Sequence, residues 1–67
     1  MTFREKLKLA TVGDTIVFQH FLDNHLCYHE IVKKTEKDGK TIFWFYDRDN
    51  KLKKMEEYMI EDIIFKS

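Results

Sequence analysis

The chain has little of what most enzymes use to build an active site. Its 67 residues include one cysteine, two glycines and a single serine, Ser67. One terminal serine argues against a Ser-His-Asp triad, and Gly13 and Gly39 lie too far apart for a glycine-rich phosphate loop. The carboxylates are scattered, and no pair stands out as a general acid and base. We therefore expect a non-enzymatic protein with no catalytic residues and no cofactor.

Cysteines and long apolar runs are also scarce, which bears on where the protein works. Cys27 is the only cysteine, and a lone thiol is typical of the reducing cytosol. The longest apolar run covers residues 42–46, too short for a transmembrane helix. Charged residues recur through the first eight positions, so they contain no secretory h-region. We expect a cytoplasmic protein with no membrane partner.

The net charge is zero, but the charges are unevenly distributed along the chain. Residues 33–54 contain eight Lys or Arg against four Asp or Glu, whereas residues 55–62 contain four acids and no base. Basic loops would attract an acidic ligand. The candidate nucleic-acid-binding residues are Lys33, Lys34, Lys37, Lys40, Lys51, Lys53 and Lys54. Zero net charge weighs against this alternative, because nucleic-acid-binding domains are usually basic.

The main functional signal is the aromatic run Ile42-Phe43-Trp44-Phe45-Tyr46, which holds four of the ten aromatic residues. Alternate side chains of a strand lie on opposite faces, so Phe43 and Phe45 share one face and Trp44 and Tyr46 share the other. In so small a chain only one face can belong to the core. The other face packs under the N-terminal helix, binds a protein, or stacks on nucleic-acid bases.

Trp and Tyr are enriched at protein–protein hot spots. We predict a protein-interaction module with Trp44, Tyr46, Phe21 and Tyr28 as its partner-binding residues, steered by its basic loops to an acidic protein. Its size and its Lys-, Ile- and Phe-rich composition are typical of a small regulatory protein, such as a phage modulator or inhibitor of a larger host protein. The alternative is nucleic-acid binding through the lysines and exposed aromatics. The chain is expected to be a monomer, or a homodimer joined through its second aromatic face.

Histidines and the cysteine cluster in sequence. His25, Cys27 and His29 alternate at the start of a predicted strand, and His20 ends the preceding one. Imidazole and thiolate groups at this spacing can bind zinc. Structural zinc sites usually draw on two separated ligand pairs, however, and no Cys-x-x-Cys pair is present. The alternative is a Cys27 that packs in the core as a small hydrophobe. We predict no metal site and retain these four residues as weak candidates.

Local signals predict a single domain over residues 1–67, with an N-terminal helix in 1–11 and a β-rich body over 12–67. Thr2 and Glu5 have the spacing of a capping box, which opens a helix from Phe3 to about Ala10. Strands are predicted over 15–21, 26–35 and 41–47. Asp38-Gly39 is the hairpin turn between the last two.

Residues 51–67 fit two interpretations. Leu52, Met55, Met59 and Ile63 fall on one helical face, which predicts a C-terminal helix and an α+β fold: a three-stranded antiparallel sheet packed by N- and C-terminal helices. The short turn at 48–50 instead favours a fourth strand over 52–58, a helical turn at 58–62 and a last strand over 63–66.

Val12-Gly13-Asp14-Thr15-Ile16-Val17 resembles the opening of SH3-like small barrels, in which a Gly-Asp turn precedes a Val- and Ile-rich strand. The elements that follow are ordered as in Tudor and KOW modules. The resemblance covers about residues 12–65 and implies a mainly β fold, a small antiparallel meander closing to an SH3-like barrel. It also implies strands in the C-terminal segment and a binding function. It identifies no ligand.

Overall fold

A computed structural model describes residues 1–66 and therefore excludes Ser67. The elements in chain order are α1 (Phe3–Leu9), β1 (Thr15–Gln19), β2 (Leu26–Glu30), β3 (Lys33–Lys37), β4 (Lys40–Tyr46), β5 (Leu52–Glu56), a 3₁₀ turn (Glu57–Met59) and β6 (Asp62–Ile64). The strands form two antiparallel sheets, in the orders β2-β1-β6 and β3-β4-β5. The expected mainly β fold with one short helix is confirmed. Neither sheet closes on itself within the described range.

Helix α1 forms for the reason that its sequence indicates. Glu5 N donates to Thr2 Oγ1 at 3.2 Å, and Thr2 N donates to Glu5 Oε1 at 3.2 Å, which completes the predicted capping box. The helix enters the core through buried Leu7. Lys6 Nζ also donates to Asp62 Oδ1 in β6 at 3.0 Å, and this hydrogen bond is the main cause of the lowered pKa of Asp62. The helix is therefore attached to the last strand by both packing and charge.

The single strand predicted over residues 26–35 is wrong, because the chain changes sheets at its middle. β2 pairs with β1 in the first sheet, and β3 pairs with β4 in the second. At the break, Ile31 N donates to Asp14 O and Val32 N donates to Trp44 O, both at 2.8 Å. Consecutive residues thus bond to different sheets. A continuous run of strand-forming residues does not reveal such a change of partner.

The C-terminal helix, and the α+β fold that it would have produced, are wrong. Residues 52–56 pair with β4, and Met55 is buried opposite Phe43. Strand pairing and burial override the helix propensity of Leu, Lys, Met and Glu. The other interpretation is confirmed in its order of fourth strand, helical turn and last strand, although the turn and β6 each begin one residue earlier than predicted.

The core lies between the two sheets, and β4 divides its side chains as alternation predicts. Phe43 and Phe45 are buried, whereas Trp44 is half-buried and Tyr46 is exposed on the outer face of the second sheet. Ile16 of β1 is fully buried from the other side. Full burial of a side chain of this size stabilises the fold by about 1.5–3 kcal/mol.

The Gly13-Asp14 turn joins distant parts of the chain. The buried carboxylate of Asp14 accepts from Lys66 N and from Thr11 N, each at 2.9 Å. The hydrogen bond from Lys66, followed by that from Thr11, lowers the pKa of Asp14. Gly13 N donates to Ile31 O at 3.0 Å and adopts a φ of +101°, which favours glycine. One turn therefore holds the strand break and the end of β6 together.

We predict that Asp14→Asn lowers the free energy of unfolding at neutral pH by about 1–3 kcal/mol, because an amide NH₂ group cannot accept the second backbone N–H. A lowered native pKa means that the carboxylate stabilises the fold above the ordinary aspartate pKa. That contribution disappears as pH falls through the lowered value. Urea unfolding at neutral and strongly acidic pH measures both effects.

Asp38→Asn is the matched control, because it replaces the same carboxylate by an amide at an exposed hairpin tip. Asp38 has a φ of 54°, a backbone conformation that Asn also tolerates. We expect this control to leave stability nearly unchanged. Equal losses in the two variants, or an Asp14→Asn deficit that persists undiminished in acid, would contradict the role of Asp14.

Candidate binding groove

An open groove of about 480 Å³ lies between the loop that joins β1 to β2 and the turn that joins β4 to β5. Its floor is mainly apolar and consists of Phe18, Cys27, His29, Phe45, Met55 and Met59. One wall is formed by His20, Phe21 and His25. The other wall is formed by Asp47, Arg48, Asp49, Lys53 and Lys54. The groove thus combines an apolar base with charged sides.

Three rings pack together in the floor. The His29 ring stacks on Phe18 with centroids 5.6 Å apart, and it lies 4.7 Å from the centroid of Phe45. His29 Nδ1 lies 3.1 Å from the carbonyl oxygen of Tyr46. Because a carbonyl only accepts, His29 Nδ1 must be the donor. This bond joins β2 to the end of β4 across the gap between the sheets, so His29 has a structural role.

The β1–β2 loop is closed by backbone hydrogen bonds. His20 N donates to His25 O at 2.8 Å, and Asn24 N donates to His20 O at 2.9 Å, with Asn24 in the left-handed region. β1 therefore ends at Gln19, two residues before its predicted end. Phe21 at the loop tip is 86% exposed. The loop therefore places an exposed aromatic ring, stacked on His20 with centroids 5.2 Å apart, at the rim of the groove.

The same loop brings three potential ligand groups together. Asp23 Oδ1 lies 3.1 Å from His20 Nδ1 and 2.6 Å from His25 Nδ1. Desolvation raises the pKa of Asp23, but the hydrogen bond with His25 and the charged forms of both imidazoles outweigh it and lower that pKa. Among the described residues this is the one set of three His, Cys, Asp or Glu side chains close enough to share an ion. Cys27 and His29 lie outside it.

The opposite wall is a turn organised by Asp47. Its Oδ1 accepts from Asp49 N and from Lys51 N, each at 2.9 Å. The hydrogen bond from Lys51 is the largest cause of the lowered pKa of Asp47. Lys53 Nζ lies 3.9 Å from the same carboxylate. Asp47 therefore serves the turn itself. Arg48 and Lys54 are the cations of this wall that are exposed and form no ion pair within residues 1–66, and the ammonium group of Lys54 lies over the Trp44 ring.

The four predicted partner-binding residues do not form one surface. Trp44 and Tyr46 lie on the outer face of the second sheet, and Tyr28 lies on the outer face of the first. Phe21 alone lines the groove. Trp44 Nε1 donates to Thr35 Oγ1 at 2.9 Å, so its polar atom is already bonded.

The seven predicted nucleic-acid-binding lysines also separate. Lys34 Nζ donates to the carbonyls of Lys8 and Ala10 at the end of the helix, at 2.9 and 2.7 Å, so it has a structural role. Lys53 faces the groove, and Lys51 lies in the turn before β5. The remaining four share the outer face of the second sheet by strand alternation: Lys33, Lys37, Lys40 and Lys54.

Sequence reasoning missed two features of this region. Asp23 was not among the candidate ligands, although the spacing His20-x-x-Asp23-x-His25 brings its carboxylate into contact with both imidazoles once the loop closes. Sequence reasoning also missed the groove floor, because Phe18 and Phe45 meet only when the two sheets pack, with ring centroids 5.4 Å apart. Of these two residues, Phe45 belongs to the aromatic run and Phe18 does not.

Comparisons with models of protein families, with curated proteins and with solved structures found no match for this chain. In residues 1–66, none of the helical segments has the length and apolar character needed to span a membrane. The features of the chain that bear on its function are the groove, the β1–β2 loop beside it and the outer face of the second sheet.

Proposed function

We propose that this chain is a non-enzymatic protein-interaction module that binds an extended segment of a larger protein in the groove. The two sheets, the 3₁₀ turn and the final short strand are consistent with an SH3-like barrel, the fold implied by the resemblance of the Gly13-Asp14 turn. Such a module acts by occupying a surface of its partner.

The observation that carries this proposal is the exposed Phe21 beside an apolar floor. The ring is 86% exposed and adds little to the core, since its one ring contact is a stack on His20, yet it lines the same groove as Cys27, Phe45 and Met55. Aromatic side chains at the edge of an apolar depression are typical anchors of protein interfaces. A volume of about 480 Å³ is enough for one or two apolar side chains of a partner segment.

The charges of the groove indicate which segment would bind. Arg48 and Lys53 lie on one wall together with Asp49, and the carboxylate of Asp47 on that wall is committed to its turn. A partner with acidic residues beside an apolar side chain would complement this arrangement. We therefore propose an acidic, apolar peptide segment as the occupant.

The test uses a library of random peptides displayed on phage and selected on the wild-type chain. Enriched peptides should pair an aromatic or aliphatic residue with neighbouring Asp or Glu. We predict that Phe21→Ala weakens the binding of these peptides by at least about tenfold, as truncation of an anchor does. Fluorescence anisotropy with labelled peptides measures the affinities.

Tyr58→Ala is the matched control, because Tyr58 is an aromatic residue that is 82% exposed and does not line the groove. It should bind the peptides like the wild type. A library that yields no peptide, or peptides that bind Phe21→Ala as tightly as the wild type, would contradict the groove. Loss of binding in Tyr46→Ala alone would move the interface to the outer sheet face.

A second candidate function, nucleic-acid binding, is favoured by the composition of that outer face. The ammonium groups of Lys33 and Lys54 lie 5.3 and 5.8 Å from the centroid of the Trp44 ring. Lys37, Lys40 and exposed Tyr46 lie on the same face. Lysines around sheet aromatics can hold phosphates while the rings stack on bases.

For this second function, we predict that the double variant Lys33→Gln, Lys54→Gln binds single-stranded oligonucleotides more weakly. It should also reduce the slope of log affinity against log salt by about 2, one per lost phosphate contact. Anisotropy titrations at several salt concentrations give both values. The double variant Arg4→Gln, Lys8→Gln removes the same charge from the helix and is the control. Equal effects of both pairs, or no binding by the wild type at low salt, would exclude the outer face.

A further inference from the structure

His20, Asp23 and His25 form a cluster whose potential ligand atoms lie close together, as the ligands of a metal site do. Asp23 Oδ1 lies within 3.1 Å of one imidazole Nδ1 and 2.6 Å of the other. His20 is half-buried, and Asp23 and His25 are exposed. In a tetrahedral site with bonds of about 2.0–2.1 Å, neighbouring ligand atoms lie roughly 3.3 Å apart. The contact between Asp23 Oδ1 and His20 Nδ1 is already close to that spacing, and Asp23 Oδ1 and His25 Nδ1 would need to separate by roughly 0.7 Å to admit an ion.

The loop positions these ligands independently of any ion. His20 and His25 face each other as the last backbone pair of the hairpin, joined by the hydrogen bond from His20 N to His25 O. Asn24, in the left-handed conformation, turns the chain so that Asp23 Oδ1 contacts the Nδ1 atoms of both rings, which stack on each other. The ring centroids are 4.9 Å apart. Because the backbone brings the three groups together, little additional ordering is needed for binding.

The loop also fixes which ring nitrogen of His20 faces the cluster. Leu22 N lies 3.3 Å from His20 Nδ1, and Asp23 Oδ1 lies 3.1 Å from the same atom. Nδ1 is therefore the nitrogen of His20 that is directed toward the carboxylate of Asp23.

We propose that His20, Asp23 and His25 bind one Zn²⁺ ion through two imidazole nitrogens and one carboxylate oxygen. This ligand set is suited to zinc, whereas Ca²⁺ and Mg²⁺ prefer oxygen ligands only. Three protein ligands leave a fourth position for water or for a group of a bound partner. The inference does not depend on the proposed function, although His20 and His25 also line the groove.

The test is a calorimetric titration of Zn²⁺ into the metal-free full chain at neutral pH, with Mg²⁺ as a comparison. One equivalent of Zn²⁺ should bind, and Mg²⁺ should not. His20→Ala and His25→Ala should each weaken Zn²⁺ binding by more than about tenfold, since even a supporting residue of a metal site is worth that much. Amide shifts in a ¹⁵N–¹H spectrum should be largest within residues 20–25.

Cys27→Ser is the matched control, because its thiol lines the same groove but lies outside the cluster. It should bind Zn²⁺ like the wild type. Circular dichroism establishes that each variant is folded, and Asp23→Asn, which preserves the shape of the side chain, provides an independent variant. Absence of stoichiometric binding, unchanged affinity in both histidine variants, or loss of binding in Cys27→Ser would each overturn the proposal.

Discussion

The rest of this structure depends on the carboxylate of Asp14. Its two oxygens receive backbone N–H groups from Thr11 and Lys66, which lie 3 and 52 positions away in the chain. The Asp14 carbonyl also accepts from Ile31 at the point where the chain leaves the first sheet. Asp14 thus fixes the start of β1 and the residues after β6 through its carboxylate, and the end of β2 through its carbonyl. Since β2 supplies part of the groove floor, the candidate site depends on this contact as well.

Several charged or polar residues that look like ligand-binding groups in the sequence are required by the fold instead. Lys34 neutralises the carbonyl end of the helix, where a cation is favourable. Asp47 organises its turn, and His29 bonds the carbonyl of Tyr46 between the two sheets. Once these groups are assigned, the remaining functional candidates are few. Phe21, the His20, Asp23 and His25 side chains of the β1–β2 loop, and the lysines around Trp44 have no comparable role in holding the fold together.

Local chemistry made much of the fold predictable, and contacts between distant residues made the rest unpredictable. The Thr2–Glu5 capping box and the Asp38-Gly39 hairpin depend only on neighbours in sequence, and both formed where expected. The strand break at 31–32 arises because adjacent backbone groups bond to different sheets. The groove similarly requires Phe18 and Phe45 to meet across the core. The spacing of residues within β1 or within β4 does not predict this contact between the two strands.

The two open sheets have a consequence for self-association. Within residues 1–66 each sheet ends in two strands with unpaired edges, and such edges can template pairing with other chains. In the second sheet both edge strands are rich in charge, with the sequences KKTEK in β3 and LKKME in β5. Lysines on an edge oppose the approach of a second copy. These charges therefore disfavour edge-to-edge pairing in the second sheet, an effect that requires no ligand.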